Sequence, residues 1–233
     1  MINTLLTDYP ILLLVLTLAI YGISFFIYQK SQRHVLLLPI VTGIFLTILV
    51  LVLFDIEYSY YFESVNVIHF LLGTATVALA VPLHHNIHLI REHAVPLSVS
   101  LFVMAFITPG LAVVSAWILG AEQGVLLSLA PKSISTPFAI AVSESIGGYP
   151  PLVASIVIVT GIVVAIAATT VFKLFAIHNP IAQGFSMGIV GHGVGTAAAF
   201  EISMEVGAFS ALAMGLMGLS TSICLPYLMA WLF

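Results

Sequence analysis

Long unbroken apolar runs dominate the chain, in place of the alternation of a half-buried strand or the stripe of a soluble amphipathic helix. Six of them are long enough, or nearly so, to cross a bilayer: 10–28, 35–54, 67–83, 96–119, 151–172 and 208–232. A spanning helix needs about 20 residues at roughly 1.5 Å rise each. The third run is short and interrupted by Gly73 and Pro82. Two further segments, 122–147 and 180–207, carry a short apolar stretch, a polar or glycine-rich break, and a second stretch able to form a helix. The pattern predicts an all-α polytopic membrane protein of six spanning helices plus two broken or re-entrant segments. No connecting loop is long enough to be a separate domain. One membrane domain over 1–233 is therefore expected, with four helices in 10–119, the broken segments of 122–207 around helix 151–172, and a last helix at 208–232.

Composition sharpens this reading. Of 233 residues 61% are hydrophobic and 6% charged, against about 25% charged in ordinary soluble domains. Mean hydropathy is +1.23. Such a chain cannot dress a soluble surface, which excludes a soluble enzyme, a disordered tail and a disulfide scaffold. The lipid bilayer is its solvent. The single Cys224 allows no internal disulfide and sits in an apolar run, as a packing residue. A net charge of −4, thinly spread, offers no basic surface to nucleic acid. The few cations set an orientation. Lys30 and Arg33 follow the first run, Asp55 to Glu63 holds three acids and no Lys or Arg, and Arg91 follows the third. The N-terminus is expected outside, and the first run, with no preceding cation and no small-residue cleavage site, is not a removable signal.

The two broken segments align when the chain is slid by 60 positions. Residues 123–152 against 183–212 share seven identities in 30 positions, Gln123/Gln183, Gly124/Gly184, Thr136/Thr196, Ala139/Ala199, Ser143/Ser203, Gly147/Gly207 and Leu152/Leu212. The breaks coincide, Pro131 to Pro137 over Gly191 to Thr196. Matched interruptions in two parts of a membrane chain point to a transport site, because unpaired backbone groups survive at depth only inside protein or along a polar cavity. Surface loops between interfacial helices are the plainer alternative. Each segment either crosses once or returns as a hairpin, and Lys173 favours inverted hairpins, since it lands inside if 122–147 returns to the outside.

Thr136-Pro137 predicts an N-cap followed by proline at the first helical position. Thr196 followed by three alanines predicts a second cap. Both helices would aim free N–H groups and a positive dipole end at the break. Lys132 adds a full charge, and Ser133, Ser135 and His192 add donors, so the site favours a small anion, a carboxylate above all. Gly193 and Gly195 would let it approach the backbone. Lys132 has the plainer alternatives of snorkelling or pairing with Glu122 or Glu144. Glu201 and Glu205, four apart, would share one helix face, and Glu201 or His192 would take a coupling proton. A third, weaker break at Leu72-Gly73-Thr74-Ala75-Thr76 places Thr74 and Thr76 in the same cavity, or Gly73 in close helix packing. His84, His85, His88 and His93 lack the Cys or acidic partners of a metal site, so no metal or other cofactor is expected. No nucleophile–base or paired-carboxylate arrangement suggests an enzyme.

These motifs resemble those of the LrgB/CidB family of bacterial membrane proteins. The matching pieces are LLGTATVALAVPL (71–83), LAPKSISTPFAIAVSESIGG (129–148), NPIAQGFSMGIVGHGVGTAAAFE (179–201) and EVGAFSALAMGLMG (205–218). With the order of spans, the resemblance covers essentially the whole chain. It implies a bacterial inner-membrane location and a holin-like or antiholin-like role, modulating murein hydrolase export and autolysis beside a small LrgA/CidA-type membrane partner. A related plastid protein carries glycolate and glycerate, and bacterial members are linked to pyruvate, which implies a small monocarboxylate substrate here. Thr74 and Ala198 depart from the family pattern, which carries proline and a basic residue there, so Lys132 is left as the main fixed cation. The expected function is an elevator-like carrier of small monocarboxylates (glycolate, glycerate, lactate or pyruvate), with or without proton coupling, and with a homodimer as the default assembly. The alternative is a holin-like pore component or regulator.

Overall fold

The computed structural model describes residues 9–32, 37–78 and 80–232, with the side chains of residues 69, 72–76, 80, 82 and 83 left aside. Among the described residues the chain is helical, with no strand: α1 Pro10–Lys30, α2 Pro39–Leu53, α3 Tyr58–Ser64, α4 Asn66–Ala78, α5 Ala80–His85, α6 Ile87–Glu92, α7 Ala94–Ile118, α8 Gln123–Leu129, α9 Thr136–Ile146, α10 Pro150–Leu174, α11 Pro180–Ile202 and α12 Met204–Leu232. Proline opens α1, α2, α10 and α11 and stands second in α9, where its missing N–H costs nothing and its fixed φ suits the first turn.

Four helices are long and apolar enough to cross a membrane, α1, α7, α10 and α12. The other two of the six expected spans are not shown among the described residues. The run 35–54 becomes α2 of 15 residues, about 22 Å long at 1.5 Å per residue and short of the ~30 Å hydrocarbon core. The run 67–83 lies in α4 and α5, on either side of residue 79, which falls outside the described residues, with turns at Val65 and Asn86 beyond its two ends. Many large apolar side chains stand exposed, among them Phe26, Val95, Phe102, Trp117, Tyr227 and Trp231. A surface of this kind suits lipid rather than water.

The contacts gather the chain into two compact units, Met1–Ala78 and Leu79–Phe233. In the first, α1 buries Leu13, Ile20, Ser24 and Tyr28, a stripe at helical spacing, and packs on α2 and α3. The Thr17 hydroxyl lies 3.1 Å from the Tyr61 hydroxyl. The helix α4 runs without interruption through 72–76, so the break expected there is absent from the backbone. The side chains of Thr74 and Thr76 lie outside the described residues.

The second unit is built around α12. Its core includes Val153, Val157, Ile134, Ala139, Phe209, Ala213 and Met217. Against it lies α11, brought close by glycine: a Cβ at Gly184 would strike the Val206 carbonyl, and one at Gly188 the Ser210 carbonyl. Lipid supplies no hydrophobic drive between helices, so such small residues allow the close van der Waals packing that holds them. Ser203, extended at φ −166°, ψ 162°, separates α11 from α12. It accepts a hydrogen bond from the Val206 N–H at 3.1 Å. The second broken segment therefore ends at 202, not 207. Glu201 and Glu205 lie on different helices, which corrects the shared face expected of them.

Gly184→Ala or Gly188→Ala should lower the melting temperature in detergent, by the equivalent of about 1–3 kcal/mol for overpacking. Gly110→Ala, where a Cβ meets nothing within 4 Å, should not.

Candidate functional site

The first break is a run of turns from Ala130 to Ile134 between α8 and α9. Pro131 and Pro137 bracket it, as their lost donors and ring clashes require. Ser135 occupies the N-cap, with φ −64° and ψ 147°, and makes no side-chain cap bond. Thr136 is the first helical residue. That moves the expected cap one residue earlier, because the extended backbone ends at Ser135, whose carbonyl accepts the first helical bond from Ala139. At its far end α9 stops at Gly147, in the left-handed conformation at φ 86° that glycine adopts without penalty.

The chain then returns to α8. The Tyr149 N–H donates to Ser128 Oγ at 2.7 Å, and Ser128 Oγ donates in turn to the Gly124 carbonyl at 2.7 Å. The Tyr149 hydroxyl donates to Glu122 Oε1 at 3.1 Å, and that carboxylate holds the phenol above its ordinary pKa. A Cβ at Gly124 would fall 2.5 Å from the Tyr149 ring. Residues 122–149 thus fold back on themselves, closed at the base by Glu122, Ser128 and Tyr149.

The second break is narrower than expected. Only His192, at φ 41°, ψ −131°, leaves helical geometry, and Gly191 and 193–196 stay helical. Yet that one residue reverses the chain. Gly188 and Thr196, each four residues from His192, meet the same Ser210: a Cβ at Gly188 would strike its carbonyl, and the Thr196 hydroxyl lies 2.9 Å from its hydroxyl. Gly184 and Phe200, each eight residues away, lie against the neighbouring Val206 and Gly207. A straight helix would hold Gly188 and Thr196 about 12 Å apart along its axis. A Cβ at Gly195 would also sit 2.6 Å from the Met187 carbonyl. So α11 is two arms, 180–191 and 193–202, side by side on the first half of α12.

The expected cap at Thr196 is corrected by the same geometry. Thr196 lies within the second arm, 4% exposed, and its hydroxyl is engaged with Ser210 and with Met214 Sδ at 3.8 Å. The His192 ring is buried and its Nε2–H donates to the Val157 carbonyl at 2.8 Å. It fits because α10 carries Gly161 beneath it, where a Cβ would fall 2.7 Å from the ring and 2.7 Å from Val194.

The two breaks lie close to one another. Phe138, two residues into α9, packs at Gly218, one turn along α12 from the Met214 that Thr196 touches. Lys132 donates to Ser133 Oγ at 3.3 Å. Among the described residues no carboxylate pairs with it; Glu122 is held by Tyr149 and Glu144 is exposed. Of the expected site residues, Lys132, Ser133, Ser135, Thr136, His192, Gly193, Gly195 and Thr196 fall at or next to the two breaks. Glu201 lies nine residues from the reversal, exposed at the base of the second arm. A cavity of about 430 Å³ lies elsewhere, between α7 and the first arm, lined by His93, Leu97, Met104, Asn179, Phe185 and Ile189. It is mostly apolar and contains none of the polar groups of the breaks.

Ser128, Ser203 and Ser210 carry contacts that sequence reasoning missed. Ser203 stands three residues before Val206, a cap spacing open to detection. Ser210 has no local signal, since its partner is 14 residues away.

The LrgB-like family model matches residues 17–231, and the chain belongs to that family. It is similar to the uncharacterized protein YwbG of Bacillus subtilis (strain 168), 32% identical over 94% of this chain and 97% of the relative. To YxaC of the same strain it is 31% identical, over 96% of each chain. To the antiholin-like protein LrgB of Bacillus mycoides (strain KBAB4) it is 26% identical, over 94% of this chain and 95% of the relative. No solved structure matches the chain at a significant level.

A non-glycine residue at φ 41° stores strain of about 1–3 kcal/mol. His192→Ala should lose the bond to Val157 and keep the strain, while His192→Gly loses both. The glycine variant should therefore melt above the alanine variant in detergent. Equal melting would mean that the backbone at 192 is unstrained.

Proposed function

We propose that this protein carries small monocarboxylates across the bacterial cell membrane, with Lys132 and the reversal at His192 forming the anion site. The observation that carries this reading is a cation in the first chain break that no carboxylate pairs with among the described residues. A lysine at bilayer depth costs about 2.5–3.5 kcal/mol, a cost that a bound anion offsets. The helix α9 starts beside it without a side-chain cap, leaving first-turn amides for a carboxylate.

Depth follows from α10. His192 meets Val157, and Gly191 abuts Val164, near the middle of Pro150–Leu174. If α10 spans, the reversal sits near the midplane, and 122–149 and 180–202 are re-entrant hairpins forming an inverted repeat. In an elevator-like cycle this hairpin bundle moves with its guest. The N-terminus lies outside, and a second copy and a small LrgA/CidA-type membrane protein are its companions. Proton coupling, where present, takes place at Glu201, since the His192 ring is committed to Val157. The relatives' name supports a second reading, an antiholin-like regulator of a pore, which requires neither an unpaired lysine nor paired hairpins.

Purified protein in liposomes should take up labelled glycolate, lactate or pyruvate, faster with the outside acidic. Lys132→Ala should cut uptake by about tenfold or more, the equivalent of roughly 1.4 kcal/mol, with expression unchanged. No uptake of any of the three would favour the regulator.

A further inference from the structure

The glycines around the reversal differ in what they are for. Gly191 gives way to Val164, whose Cγ1 would sit 2.7 Å from a Cβ there. Gly195 gives way to the Met187 carbonyl and Gly161 to the His192 ring and Val194. Gly193 gives way to nothing: no atom lies within 4 Å of its Cβ position, and the residue is exposed. Nor does it need glycine's conformational freedom. The positive-φ glycines among the described residues are Gly120 and Gly147. In a helical position glycine is less stable than alanine, so packing and backbone conformation both leave this one unexplained. Gly22, Gly110 and Gly215 are equally open, but they lie in unbroken helices and serve as controls. Gly193 alone of the four follows the reversal directly, next to the His192 that is tied to α10.

We propose that Gly193 is where the bound anion packs on bare backbone, and that its missing side chain sets the largest carboxylate admitted. This rests on the carrier reading above. A Cβ at 193 would occupy the space of one methyl group, so it should exclude a three-carbon acid before a two-carbon one.

In reconstituted liposomes, Gly193→Ala should raise the half-saturation concentration for lactate by about tenfold, the usual scale for one methyl group in a fitted pocket. Glycolate should be affected far less, and Gly110→Ala should match the native protein for both. A Gly193→Ala carrier with native concentration dependence for both acids would overturn the proposal. A second measurement needs no transport. With Cys224 replaced by serine, Gly193→Cys should react faster with an anionic methanethiosulfonate than with a cationic one of similar size, and glycolate should slow the reaction. Equal rates untouched by glycolate would remove Gly193 from the site. If the native protein moves no carboxylate while the anionic preference and the protection persist, the carrier reading falls and the anion contact stands.

Discussion

The hydrogen bond from His192 Nε2–H to the Val157 carbonyl is the constraint on which the second unit is organised. A chain that reverses within one residue exposes backbone groups that lipid cannot satisfy, each costing several kcal/mol. The turn persists only where its surroundings over-determine it. Here they do so from two sides. The imidazole is tied to α10 at the reversal, and both arms are laid on α12 through Gly184, Gly188 and Thr196. Glycine at 192 would relieve the strain but could not reach Val157. The histidine is best understood as a tether whose side chain outweighs its unfavourable backbone.

The first hairpin reaches a similar shape by other means. Its turn uses several residues and two prolines, so no single dihedral carries the reversal. Its base is closed by side chains, Glu122 to Tyr149 and Ser128 to the Tyr149 amide, where the second is closed by glycine contacts on α12. The first lock is partly exposed and polar, the second buried and steric. A disturbance at the Glu122 end is thus expected to loosen the first hairpin without unpacking the second. That asymmetry sits oddly with a strict repeat: the 60-residue offset aligns Gly147, where α9 ends, with Gly207, which lies within α12.

The existence of both breaks was legible, because proline and glycine interrupt helices for reasons local to the chain. Which residue turns was not. In Gly191-His192-Gly193-Val194-Gly195 the glycines are the obvious candidates, and the outlier is the histidine between them, chosen by a carbonyl 35 residues away. The cap expected at Thr196 failed for the same reason: Ser210 engages its hydroxyl, and nothing near Thr196 in the sequence announces that partner. Apolar runs identified α1, α7, α10 and α12 well, since length and hydropathy suffice for them. They say less about 35–54, where the helix α2 is only 15 residues long, and about 67–83, whose described residues lie in α4 and α5.

Lys132 is the point at which packing and chemistry part. The tether, the serine contacts and the glycines at 161, 184, 188, 191 and 195 have structural explanations complete in themselves. The ammonium does not: it donates to Ser133 alone, faces no carboxylate among the described residues, and adds its charge to a neighbourhood already holding the uncapped start of α9. A fold that needed only to stand in lipid would be more stable with leucine there. In the proposed carrier, a bound anion would offset the cost of keeping that cation away from water.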